Sequence, residues 1–143
     1  MPNKEPDIEY SFALKRIALL EKNLSLKASI NKTEEFTFEV ALQINEKPDV
    51  SESLHIMTVK IARKGEKENI GSLTLAFTFT IPNFQEYVQI IEGKQSLPED
   101  LTNLLNTVVV GTIRGVMFSE FRGTVLANAY LPVLDARKFV KNN

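Results

Sequence analysis

Apolar and polar residues alternate along four stretches of the chain, and each stretch predicts a β-strand buried on one side. In the first, residues 8–20, Ile8, Tyr10, Phe12 and Leu14 share a side, and the phase breaks at Arg16-Ile17, which predicts a bulge or bend. Alternation resumes at Leu24, Leu26, Ala28 and Ile30, as a short strand or an extended crossover. Residues 36–45 set Phe36, Phe38, Val40, Leu42 and Ile44 against Thr37, Glu39, Gln43 and Asn45. A loop is expected over residues 46–53, where Pro48 lies among Glu46, Asp49 and Glu52. Residues 54–63 place Met57, Val59 and Ile61 on one side, and Gly65 falls in a charged turn. The strongest alternation is in residues 70–81, where Leu73, Leu75, Phe77, Phe79 and Ile81 oppose Ser72, Thr74, Thr78 and Thr80. Threonine-rich outer faces suit an antiparallel sheet with one wet side.

After Pro82 the period changes. Residues 83–95 predict a short helical turn or an irregular loop. Ser96-Leu97-Pro98-Glu99 has the form of a capping box with Pro in the first turn. Leu101, Leu104, Leu105, Val108, Val109, Ile113, Val116 and Met117 then follow at helical spacing and predict a helix from Pro98 to Phe121, with Gly123 at its C-terminal cap. The β-branched run Val108-Val109-Val110 keeps a strand there as the competing reading. Residues 124–133 are expected to be extended, and Asp135 to cap a last short helix, Ala136–Lys141. Strands first and helices afterwards predict an α+β fold: a four-stranded antiparallel sheet followed by one long and one short helix packed on one face. The length of 143 residues fits a single domain over 1–143, with a loose polar tail at 1–7.

Composition narrows the function classes. A net charge of −1 with scattered Lys and Arg provides no basic face for nucleic acid. The absence of Cys removes thiolate and disulfide chemistry and fits a reducing, cytoplasmic setting. The first seven residues lack an apolar core of the kind a signal peptide has, and the longest apolar run, near Val108–Val110, is too short to insert in a membrane. A single histidine, His55, cannot build a zinc site, and it reads as a partly exposed strand residue. The carboxylates cluster in loops, where neither carries the raised pKa that paired-acid chemistry needs. No catalytic residue, metal or cofactor is therefore expected. Gly111 and Gly115, four apart on one helix stripe, would let another backbone come close, either a strand of the same chain or a helix across an oligomer interface. Phe84, Tyr87, Phe118, Phe121, Tyr130 and Phe139 lie outside the strands and either complete the core or line an exposed groove.

Short segments in order along the chain resemble the SecB family of export chaperones. They are Phe12-Ala13-Leu14-Lys15-Arg16-Ile17, Leu24-Ser25-Leu26, Ala76-Phe77-Thr78-Phe79-Thr80-Ile81 and Arg122-Gly123-Thr124, the last continued by Leu131-Pro132-Val133 and by Asp135 with Phe139. The resemblance implies a tetramer built as a dimer of dimers, with long helices sandwiched between sheets. It also implies a holdase that keeps unfolded or extended polypeptides in apolar surface grooves. By that resemblance the groove falls on Leu24, Leu26, Phe84, Tyr87 and Phe139, and the oligomer interface on Gly111, Gly115, Ile8 and Tyr10. The chain departs from the family where Gly111-Thr112 replaces a Pro-Tyr pair, in its near-neutral charge, and in ending at Lys141-Asn142-Asn143 without the acidic tail that engages the SecA motor. Delivery to SecA is accordingly not implied. Two readings stand: a chaperone with a client-tolerant groove, and a dedicated adaptor, such as an antitoxin-protecting relative, with one partner.

Overall fold

The computed structural model describes residues 9–25 and 35–139. Four strands of twelve residues each, β1 (Ala13–Leu24), β2 (Phe36–Lys47), β3 (Glu52–Arg63) and β4 (Asn69–Thr80), form one antiparallel sheet in the order β1-β4-β3-β2. Strands β1 and β2, neighbours in sequence, thus occupy opposite edges. The long helix, α2 (Glu99–Glu120), lies on one face of the sheet. Between β4 and α2 come a single helical turn, α1 (Phe84–Tyr87), and a small hairpin, β5 (Gln89–Ile91) with β6 (Lys94–Ser96). The hairpin turns through Glu92 and Gly93, both with positive φ.

The core is written in two periods. Met57, Val59 and Ile61 of β3 and Leu73, Leu75, Phe77 and Phe79 of β4 point to the helix side and are fully buried or nearly so. Leu101, Leu105, Val109, Ile113 and Met117 descend one face of α2 at steps of four and pack onto them. Helix therefore prevails over strand at Val108-Val109-Val110, because the four-residue step buries Val109 and Val110 together with Leu105 and Ile113. By length and mean hydropathy α2 could also cross a bilayer, longer than the sequence run suggested, but its apolar face is occupied by the sheet. The other face of the sheet mixes Thr58, Thr74, Thr78 and Thr80 with Leu54, Ile56 and Ala76, and the hydroxyls of Thr58 and Thr74 are joined at 3.0 Å.

Several sequence expectations change. β1 is one strand through Leu24, with register shifts between Leu14 and Arg16 and between Leu19 and Glu21. Its side chains are mostly exposed, Leu14, Ile17, Leu19 and Leu20 included, because as an edge strand it lies beyond the cover of α2. The expected loop over 46–53 shrinks to one 3-10 turn, Pro48–Val50, closed by Ser51 in the left-handed region, and β2 and β3 pair without interruption from Phe36↔Arg63 to Lys47↔Glu52. Ser96 does not cap α2. It ends β6 with its hydroxyl turned to the Leu97 carbonyl, and Pro98 takes the cap position. The Leu97 N–H donates instead to the Glu46 carboxylate at 3.1 Å, which ties the β2–β3 hairpin to the start of α2. Residues 124–128 form turns rather than an extended stretch, with Thr124 accepting from the Leu126 N–H, while residues 129–133 have no regular structure and are held at the Leu131 carbonyl by Arg114. The last helix is one 3-10 turn, Ala136–Lys138, and Asp135 does cap it, accepting from the Arg137 N–H at 2.9 Å.

Glycine matters most at Gly71. A Cβ there would lie 2.2 Å from Leu126 Cδ1, so the bare backbone of β4 admits a buried leucine from the segment after α2. Phe84 is also core: it is 1% exposed and packs with the α2 face. Phe84→Ala is therefore expected to cost about 3–5 kcal/mol in urea unfolding. A loss below about 1 kcal/mol would show that the side chain is not core.

Candidate functional site

The residues expected to form one groove do not all meet. Phe84 is buried, so it forms no exposed wall. Leu26 lies outside the described residues. Leu24 is half-buried opposite Gly71, at the end of β1 farthest from Ala13. Twelve residues of strand span about 40 Å. Tyr87 sits near the opposite end, its ring 5.1 Å from that of Tyr10 in an edge-on arrangement. The Tyr87 hydroxyl accepts from the Ser11 N–H at 3.0 Å. Phe139 follows the last 3-10 turn and is half-buried against the core. That turn lies beside the first two turns of α2, where Asp100, Asn103, Leu104 and Thr107 face Leu134, Ala136 and Arg137 across a cleft of about 390 Å³. Tyr87 and this cleft share the N-terminal end of α2, through Tyr10 and Asp100, while Leu24 stands apart.

Of the expected interface residues, Ile8 lies outside the described residues. Tyr10 is half-buried and engaged within its own chain, its hydroxyl donating to the Asp100 carboxylate at 2.7 Å. Gly111 and Gly115 are exposed, and a Cβ at either would meet nothing within 4 Å. Among the described residues no strand crosses there, which leaves the intrachain reading without support. Leu104, Val108, Gly111, Gly115 and Phe118 fall on one line of the outer helix face at alternating steps of four and three. Leu104 is 47% and Phe118 59% exposed, and Tyr130 and Val133 nearby are more so.

A second uncovered region is the β2 edge. Among the described residues its backbone has no neighbour on the side away from β3. Phe36, Phe38 and Val40 on its helix side are only half-buried, whereas Leu42 and Ile44 farther along are buried. The strand has no bulge, in contrast to the twice-shifted β1 edge, which also carries Lys15, Arg16 and Lys22. Bulges and basic residues are protective devices on strand edges.

Sequence reading missed one polar cluster. His55 is fully buried, not partly exposed. Its Nε2 lies 2.9 Å from Ser53 Oγ and its Nδ1 2.8 Å from Asn106 Oδ1. A hydroxyl, an imidazole and an amide in this order resemble the hydrogen-bond chain of a nucleophilic triad. All three residues are completely buried, however, so Ser53 meets no substrate while the sheet and α2 stay together. The signal in the sequence was that Ser53, His55 and Met57 share one phase of β3, and that Thr102 and Asn106 fall on the apolar stripe of α2. Among the described residues no group of three or more His, Asp and Glu is placed to hold a metal ion.

No family model matches the chain, and no curated protein does. Among solved structures, a SecB-like chaperone of Mycobacterium tuberculosis, in complex with a peptide from the HigA1 antitoxin, superposes with a TM-score of 0.61. The match covers 86% of this chain and 89% of that one at 14% identity. The fold is SecB-like. At this identity the likeness establishes the SecB-like architecture and leaves side-chain roles to the residues themselves. A four-stranded antiparallel sheet with a long helix on one side is the arrangement the sequence resemblance implied.

The Tyr10–Asp100 bond fastens the segment before β1 to the first turn of α2 and gives a pH signature. Burial, then the hydrogen bond to Asp100 and its negative charge, push the Tyr10 phenol from about 10 up to about 12. A raised folded value means that the contribution is complete below pH 10 and is lost as pH rises toward 12. Tyr10→Phe should therefore flatten the alkaline limb of stability between pH 10 and 12 in chemical unfolding. Identical alkaline limbs in the two proteins would refute the assignment.

Proposed function

We propose that this SecB-like protein is a polypeptide-binding chaperone without catalytic activity, acting as an oligomer in the cytoplasm. Its clients are unfolded or extended chains. The observation that carries this reading is the pair of apolar surfaces left uncovered on one protomer: the outer stripe of α2, and the β2 edge with its half-exposed phenylalanines. The first suits a second copy and the second a client.

Mid-helix glycine costs about 1 kcal/mol relative to alanine. Among the described residues Gly111 and Gly115 relieve no crowding, which supports a use outside the protomer. Two such helices, meeting across Leu104, Val108 and Phe118 with the glycines at the crossing, would bring their backbones close, and a tetramer as a dimer of dimers is the expected assembly. A client could add to β2 as a further strand, with backbone hydrogen bonds indifferent to its sequence and alternate apolar side chains resting on Phe36, Phe38 and Val40. Tyr87 and Phe139, beside the cleft at the start of α2, offer aromatic area to the same class of ligand. The Mycobacterium tuberculosis neighbour was solved with an antitoxin peptide, which supports an extended polypeptide as the ligand. The same chemistry suits a dedicated adaptor with a single partner; binding to several unrelated unfolded proteins favours the chaperone.

Gly111→Leu separates assembly from stability. The added side chain has open space in the protomer and a better helix propensity. The variant protomer is expected to be as stable as the parent or more so, yet light scattering should show a smaller species. An unchanged tetramer, or a parent that is monomeric at micromolar concentration, would remove the interface. For the client site, a Tyr87→Ala, Phe139→Ala double variant should weaken micromolar binding of a reduced, unfolded model protein at least several-fold, at a stability cost of about 1–2 kcal/mol. Unchanged binding would place the site elsewhere.

A further inference from the structure

The joint between β3 and α2 is buried and apolar except for His55, Ser53, Asn106 and Thr102. Asn106 Oδ1 can only accept, so the His55 Nδ1 at 2.8 Å carries a hydrogen, and Nε2 is left to accept from Ser53 Oγ at 2.9 Å. Both ring nitrogens are thus satisfied with the imidazole uncharged. We propose that His55 makes this joint acid-labile: protonation of the ring loosens α2 from the sheet at mildly acidic pH.

Charging the ring requires a second ring N–H, at Nε2. The Ser53 hydroxyl must then turn and become the acceptor, and a positive charge is held where the ring is wholly removed from water. Among the described residues, the following groups lie against it from the three elements of the joint. From β4 come Phe77 directly opposite and Phe79 edge-on, the ring centroid 5.2 Å away. From β2 come Ile44 opposite and, two residues on, Glu46 beside Ser53. From α2 come Asn106 and, one turn earlier, Thr102. Glu46 is the ionisable member of this set, and its carboxylate already accepts from the Leu97 N–H. The carboxylates of the first helical turn, Glu99 and Asp100, are exposed, with Asp100 held by Tyr10. The ring therefore has neutral partners at both nitrogens, and one carboxylate at the rim of the cluster to set against the cost of burying charge.

The sign follows. If only the unfolded chain takes up the proton, stability falls with pH below about 6.5, by up to about tenfold in the folding constant per pH unit. Because α2 also bears the outer glycine stripe, loosening reaches the surface proposed for assembly; the acid response itself does not depend on that proposal.

His55 is the sole histidine, so its ring C–H signals in a proton NMR spectrum are unambiguous. In the folded full-length protein these signals should stay at their neutral position from pH 7.5 to 5.5. Urea unfolding of the same protein over that range should show the folding constant dropping toward the tenfold-per-unit limit. His55→Gln should flatten that drop, and Glu46→Gln should keep it. A ring that titrates at pH 6.5 or above in the folded state overturns the proposal without recourse to any variant. So does a wild-type stability that is flat over this range, or a drop that survives His55→Gln and vanishes in Glu46→Gln.

Discussion

A single helix about 10–12 Å across cannot cover four strands spaced about 4.8 Å apart, and the exposure pattern of this protein follows from that mismatch. Laid over β3 and β4, α2 buries their helix-side residues almost completely. The two outer strands are left half-covered. At one edge this exposes Leu14, Ile17 and Leu19, and at the other it leaves Phe36, Phe38 and Val40 only half-buried. The helix in turn is apolar on more than one side, with its outward line at Leu104 and Phe118 left about half exposed. A protomer of this design leaves apolar surface at both edges of the sheet and on the outer side of the helix.

The segments after α2 compensate in part. Leu126 enters the slot at Gly71, and Leu131 and Ala136 close over the helix, so the connection after α2 serves as a second, irregular layer. The same economy puts polar groups inside. His55 and Asn106 meet across the joint, where two apolar side chains would have packed without any hydrogen-bond requirement. The bond between them fixes the register of helix on sheet in a way that leucines sliding over phenylalanines do not.

Much of the sheet was legible in the sequence because strands β2, β3 and β4 alternate strictly and are buried on one side only. The helix was legible because its four-residue step continues through Val108-Val109-Val110. What failed has common causes. β1 alternates like a buried strand, but alternation does not say whether anything lies above it, and an edge position leaves the side chains out. The capping-box pattern at Ser96 was outweighed by pairing, since that residue finishes β6. Phe84 could not be told from a surface aromatic because a four-residue helix has too few positions to show a face. His55 was misread since a lone histidine on an apolar phase needs a partner from a distant segment, and Asn106 is 51 residues away. The glycine stripe was seen, and among the described residues nothing packs on it.

The strand order carries a temporal consequence. β1 is made first, yet its partner β4 comes last among the four, with Ala13 opposite Thr80. A hairpin of β3 with either neighbour can zip from a short turn, whereas β1 has nothing to pair with until the other three have been synthesised and joined. During that interval its leucines and isoleucine stand in water on a growing chain, the condition under which nascent proteins stick to their surroundings. The bulges and lysines of β1 thus serve twice, guarding an edge in the finished sheet and keeping a waiting strand soluble on the ribosome. The protein thus passes through a vulnerable stage before its sheet is complete.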